Sequence, residues 1–277
     1  MKADLHVHSN YSDGSESIET IIQKAKNKGL THISFVDHDT TAGVNKAVQL
    51  GKQYSLTVIP GIEISAYDFK RKRKVHILGY QFSKEAININ KLCQPLLEQR
   101  HNHTLWQITQ IQQQGYHLNL DLMKASAHPS QTLYKQHVMK QLTDASYSSD
   151  EYQSLYRNLF KGVGVASGDI TYVDAFEAVK AISEDGGIAV VAHPGQLDSY
   201  HLIPELVEVG LGGIERNHPD HSEADHEKIE RLANRFNLML TGGSDYHGMF
   251  GAEIKVGEII SPVNSLCRID KDIVLNL

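Results

Sequence analysis

Short apolar runs alternate with amphipathic stretches over both flanks of the chain, and this alternation constrains the fold more than any other feature. Residues 3–7 predict a strand, and residues 17–28 a helix with Ile18, Ile21, Ile22 and Ala25 on one stripe and Gly29 as its stop. THISFVDHDT predicts a strand ending in a polar cluster, residues 42–53 a helix, and SLTVIPGIEIS and KVHILGY two more strands. The pattern resumes late in the chain with helix VDAFEAVKAI, strand GIAVVAHPG, helix LIPELVEVG, strand GGIERN, a helix over 222–236 and strand NLMLTGGSD. Such alternation belongs to a parallel α/β sheet or barrel. Between them lie the helical stretches HTLWQITQIQQQG, LYKQHVMKQL and DEYQSLYRNLFKG. The reading is an α/β barrel domain built from residues 1–84 and 171–277, interrupted by a mostly helical insertion over 85–170.

A chain of 277 residues has room for that arrangement and a sizeable core. Its net charge of −6 argues against non-specific polyanion binding by the whole surface. Cys93 and Cys267 stand in unlike contexts without metal spacing, so no disulfide framework is expected and a reducing cytoplasm is the natural location. Neither a signal-peptide run nor a membrane span is expected. Histidine is the unusual component, with 16 residues against 7 Phe and 1 Trp, and it is the commonest metal ligand.

Metal-ligating residue types recur where strands end. His6 and His8 alternate with Leu5 and Val7, which places both imidazoles on one face, and Asp13 follows. The next strand ends in Asp37, His38 and Asp39. Glu63 stands between Ile62 and Ile64, where a carboxylate requires a partner. His76, His193, Glu215, Asp245 and His247 complete the series. A barrel gathers all strand ends on one rim. Imidazoles and carboxylates without thiolates suit divalent Zn, Mn or Fe. Their number exceeds one tetrahedral site, which implies two or three ions with Glu63 able to bridge. Such clusters suit phosphate-ester hydrolysis. His32, His101, His103, His117 and His201 are read as incidental.

Taken in order, DLHVHSNYSDG, FVDHDT, GIEIS, VHILGY, VVAHPG and GGSDYHG resemble the polymerase-and-histidinol-phosphatase (PHP) family of metal-dependent phosphoesterases. The resemblance implies a distorted seven-stranded (β/α) barrel with a trinuclear metal centre. His6, His8, Glu63 and Asp245 would hold one ion, Glu63, His76 and His193 a second, and Asp13, His38 and His247 the third. All nine positions are filled, and the implied nucleophile is a hydroxide bridging the metals. Asp37 and Asp39 would orient ligands from behind. The match is nearest the stand-alone branch that acts on nucleoside 3′,5′-bisphosphates or the ends of short RNA.

That branch carries an Arg-x-His pair in its insertion, and this chain has Lys135-Gln136-His137 there, with a point charge in place of a bidentate fork. Lys135, His137, Lys161 and Asn217 are the expected substrate contacts, and His218 is a candidate catalytic residue. The basic run at residues 70–74 reads as a solvated hairpin tip rather than a polyanion lip. The expected partner is a small phosphorylated molecule, a nucleotide or short RNA, with no stable protein partner evident. Competing readings are a histidinol-phosphate phosphatase, an amide hydrolase, which would need a strand-end lysine not found here, and a non-catalytic metal-binding module.

Overall fold

A computed structural model describes residues 1–263 together with 268 and 269; Cys267 lies outside the described residues. The first flank contains β1 (Ala3–Val7), α1 (Ile18–Asn27), β2 (His32–Phe35), α2 (Val44–Gln53), β3 (Thr57–Asp68) and β4 (Arg73–Tyr80). Four helices follow: α3 (Ile87–Gln113), α4 (Leu120–Ala127), α5 (Lys135–Leu142) and α6 (Asp150–Phe160). The second flank contains β5 (Val173–Asp174), α7 (Ala175–Glu184), β6 (Ile188–Val191), α8 (Pro194–Leu197), α9 (Ile203–Val207), β7 (Leu211–Asn217), α10 (Glu223–Phe236) and β8 (Met239–Gly242).

The main sheet runs β1-β2-β3-β4-β6-β7-β8, with β5 pairing β3 off this path. Backbone hydrogen bonds tie its two ends together, His8 N–H to the Tyr246 carbonyl at 2.9 Å and Asp245 N–H to the His6 carbonyl at 2.8 Å. The result is a curled α/β half-barrel. One departure from a parallel barrel is instructive. β4 is antiparallel to both β3 and β6. Only residues 69–72 separate β3 from β4, whereas a parallel return needs a crossover of about a dozen residues or more.

Three apolar clusters build this frame. Leu5, Ile59, Leu78, Tyr80, Val190 and Met239 come from strands all round the sheet and, with Val36 just after β2, fill its concave side with no residue from α1–α10. Outside, α7, α9 and α10 cover one arc and α1 and α2 the other. α1 follows from its sequence: Ile18, Ile21, Ile22 and Ala25 are buried, and Ser17 caps the first turn by accepting from Thr20 N–H.

The helices between β4 and β5 have their own core around Ile108, Ile111, Met123, Val138 and Phe160. α3 joins the two. Its 27 residues span about 40 Å at 1.5 Å each. Ile89 and Cys93 near its start pack in the sheet's cluster, and Ile108 and Ile111 near its end pack in the helical one. Arg100 and Thr104 fall between, over the mouth of the half-barrel.

Closure of the sheet leaves no room beyond β8. A Cβ on Gly243 would overlap the His6 amide nitrogen and the Asp4 carboxylate. Gly243→Ala is therefore expected to lower stability by about 1–3 kcal/mol. The readout is a fall in the urea midpoint at unchanged slope. A wild-type midpoint would mean that β1 and β8 stand further apart.

Candidate metal centre and adjoining cavity

Every strand-end acid and histidine of the expected nine reaches the same mouth of the half-barrel. Glu63 lies at the centre, 1% exposed. Its Oε2 faces His6 Nε2 at 3.3 Å, His8 Nε2 at 3.1 Å and His38 Nδ1 at 3.5 Å. Its Oε1 faces His76 Nδ1 at 2.8 Å and His193 Nε2 at 3.0 Å. Asp245 Oδ1 lies 3.3 Å from both His6 Nε2 and His8 Nε2. Asp13 Oδ1 lies 3.5 Å from His247 Nε2 and 3.8 Å from His8 Nδ1.

Eight of the nine fall into three groups whose ligand atoms lie within 4.8 Å of one another, and His193 stands outside them. The groups are His6, His8, Glu63 and Asp245; His8, Asp13, His38 and His247; and His38, Glu63 and His76. Whether the set suits cations can be judged from its unsatisfied atoms. His8 Nδ1 and Nε2, Asp13 Oδ1 and His38 Nδ1 are buried polar atoms without a hydrogen-bond partner. Leaving such atoms unpaired is costly, and a divalent ion would satisfy them. The residues fit metal.

The electrostatics agree. Burial pushes the Glu63 carboxyl up, but the imidazoles of His38, His76 and His6 reverse this and hold it well below the usual range. Asp13 and Asp245 are likewise held low against burial, Asp13 chiefly by His247 and His38, Asp245 chiefly by His6 and His247. Burial would also depress His8, yet the neighbouring carboxylates of Asp245 and Glu63 raise it to about 10. His38, by contrast, is pushed down to about 3 by burial. Protons on the raised imidazoles stand where cations would.

Buried acids hold the ligand loops. Asp37 accepts from Ser9 N–H at 2.8 Å, from Ser9 Oγ and from Ser12 Oγ, which fixes the turn between His8 and Asp13. Asp39 accepts from Ser65 N–H and from Arg100 Nη2, both at 2.7 Å. His218 Nδ1 accepts from Asp220 N–H at 3.1 Å, and Nε2 lies 3.3 Å from Asp245 Oδ2.

A cavity of 390 Å³ opens beside the donors and is lined by Asp13, His38 and His76 on one wall and by Lys135, Lys161 and Arg100 on the other. Burial pushes the Lys135 ammonium down to about 8. Two expected substrate contacts lie elsewhere. His137 turns inward: its Nδ1 accepts from Tyr134 N–H at 3.0 Å, capping α5, and its ring meets Phe250 edge-on. Asn217 donates to the Ile260 carbonyl at 2.7 Å and accepts from Arg216. A register shift between Glu215 and Asn217 breaks the alternation that would have placed both on one face.

Sequence reading missed Arg100, Gln136 and the cavity-lining His103. Gln136 Nε2 donates to Asp13 Oδ2 at 3.0 Å. Arg100 sits mid-helix in a polar stretch, where nothing marks it from a solvated arginine. The 70–74 run is largely neutralised: Lys70 and Arg71 pair with Glu205, Arg71 also with Asp68, Arg73 with Asp198 and Lys74 with Asp169.

Comparison with known proteins is specific. Residues 4–191 match the family described as PHP domain. The chain is 51% identical over 257 residues to a phosphoribosyl 1,2-cyclic phosphate 1,2-diphosphodiesterase of Eggerthella lenta, covering 93% of this chain and 98% of the relative. It is 28% identical to a 5′-3′ exoribonuclease of Haemophilus influenzae, covering 96% of each. A crystal structure of a metal-dependent phosphoesterase from Bifidobacterium adolescentis superposes with TM-score 0.87 at 25% identity, covering 96% of this chain and 94% of that one. No described helix is long and apolar enough to cross a membrane.

Two outcomes are expected. Metal analysis after metal-replete expression should find at least two first-row ions per chain (about two or three), and Glu63→Ala should lose more than one of them. Loading the metal-free protein should release protons, because raised imidazoles such as His8 must deprotonate to ligate. Affinity should therefore rise as pH rises, measured by metal titration at a series of pH values. A pH-independent affinity would contradict it.

Proposed function

The chain belongs to the PHP domain family of metal-dependent phosphoesterases, and from that premise we propose that it hydrolyses phosphoribosyl 1,2-cyclic phosphate. The observation that carries this reading is the joining, in one cavity, of the metal-donor wall to Lys135 and Lys161. Among the described residues neither lysine has a carboxylate within ion-pair distance, and Lys135 is half-buried while Lys161 is exposed. A cation so placed calls for an anion. A substrate with one phosphate at the donors and a second on the lysines satisfies both walls. A phosphorylated ribose bearing a cyclic phosphate has that form, and the Eggerthella relative named for this substrate is similar along nearly its whole length.

Nucleoside 3′,5′-bisphosphates carry two phosphates as well, and short RNA ends are the third option. The neutralised 70–74 run argues against an RNA track, because a polyanion path needs cations free to displace counterions.

Three ions are proposed: one on His6, His8, Glu63 and Asp245, one on Glu63, His76 and His193, and one on Asp13, His38 and His247. When bound they supply Lewis acidity and activate water for in-line attack at phosphorus. The chain's own residues do the rest. Lys135 and Lys161 fix the distal phosphate, with Arg100 held behind them by Asp39. As water adds to phosphorus, one P–O bond of the ring breaks and the sugar oxygen takes up a proton. The attacking water supplies that proton, and His218, whose Nδ1 accepts from Asp220 N–H so that its neutral ring carries its proton on Nε2, is proposed to hydrogen-bond the departing oxygen.

With Mn²⁺, kcat/KM on phosphoribosyl 1,2-cyclic phosphate should exceed that on adenosine 3′,5′-bisphosphate, on short 5′-phosphorylated RNA and on histidinol phosphate. A preference for any of these would displace the proposal. Lys135→Ala should raise KM on the cyclic substrate about tenfold to a hundredfold, the range for a charged hydrogen bond. Turnover of bis(p-nitrophenyl) phosphate, which has no distal phosphate, should change by no more than about twofold.

A further inference from the structure

Glu215 belongs to none of the three donor groups, yet it is wholly buried beside them. Its two oxygens have separate tasks. Oε1 lies 2.9 Å from His6 Nδ1, and Oε2 accepts the backbone N–H of His193 at 2.8 Å. The first contact keeps a proton on His6 Nδ1 and turns Nε2 toward Glu63 and Asp245. The second holds the backbone of a residue with φ 22°, well outside ordinary helix and strand conformations. That backbone sets His193 Nε2 3.0 Å from Glu63 Oε1.

We infer that Glu215 is a positioning residue that aligns ligands of two different ions at once, through the His6 ring and through the His193 main chain. Each of its oxygens meets one of these donors, and in this assignment it holds ligands without being one. Residues that orient metal-bound histidines are worth about tenfold to a hundredfold in metal affinity. The assignment rests on the metal centre proposed above and adds a site-specific consequence. Sites containing His6 or His193 depend on Glu215, whereas the site on Asp13, His38 and His247 does not, because that loop is fixed by Asp37 instead.

Glu215→Gln tests this directly. Its amide has one acceptor oxygen, so it can satisfy the His6 N–H or the His193 N–H but not both. Metal-free wild type and variant would be titrated with Mn²⁺, with bound ions counted at each free concentration. The expected result is two ions weakened about tenfold to a hundredfold and one unchanged. Equal weakening of all ions would mark a general folding defect and overturn the assignment, as would affinities matching wild type throughout. Wild type that binds no Mn²⁺ would instead overturn the metal centre itself.

A second measurement needs no variant. In wild type labelled with heavy nitrogen at histidine and loaded with cadmium, coupling to the metal should fall on His6 Nε2, with the proton retained on Nδ1. Coupling at Nδ1 would overturn the assignment.

Discussion

The organising interaction is the contact of one carboxylate, Glu63, with five imidazoles drawn from four separate places in the chain. An ionised carboxylate flanked by Ile62 and Ile64 is tolerated only where opposite charge surrounds it. The cluster requires His6 and His193, 187 residues apart, to meet at the same point. The curl of the sheet brings this about, and the bonds between β1 and the segment after β8 hold it. The apolar filling of the concave side, from Leu5 to Met239, is the floor on which the polar cluster sits.

Four buried acids that belong to no donor group share one device. Asp4 accepts the N–H of Ser244, Asp37 that of Ser9, Asp39 that of Ser65 and Glu215 that of His193. Each amide belongs to, or lies within two residues of, a donor: Asp245, His8, Glu63 and His193 itself. Three of the residues involved, Asp39, His193 and Asp245, have positive φ. Such conformations persist only where the surroundings enforce them. Charged hydrogen bonds to the main chain are strong enough to do so. The ligand loops are thus preorganised by acids behind them, and a cation need not order the loops on binding.

Much of this was legible because two periodicities carry it. Ile18, Ile21, Ile22 and Ala25 announce α1 by their spacing, and His6 and His8 announce a shared face by alternating with Leu5 and Val7. What was not legible depends on events that leave no periodic trace. The register shift after Glu215 turned Asn217 away from the site. The cap on α5 drew His137 inward. Strand direction is invisible in an apolar run, so KVHILGY read only as another strand, although its short connection to β3 already required an antiparallel return. The partners of the 70–74 run, Glu205, Asp198 and Asp169, lie far off in sequence, so local charge overstated how basic that surface is.

On the function proposed above, reaction and recognition reside in different parts of the chain, and this bears on how relatives of this chain can be named for a cyclic sugar phosphate and for RNA. All nine donors of the metal centre come from the strands and loops of the half-barrel. Lys135, Arg100 and Gln136 come from the helices between β4 and β5, and Lys161 follows the last of them. α3 carries both units on one rigid rod, with Arg100 tied to Asp39 at the crossing. A substitution on the helical wall changes what is held opposite the phosphorus while the donors keep their places. One link crosses that boundary, from Gln136 to Asp13. Through it the wall proposed to select the substrate touches the candidate metal centre, so changes at Gln136 would reach both.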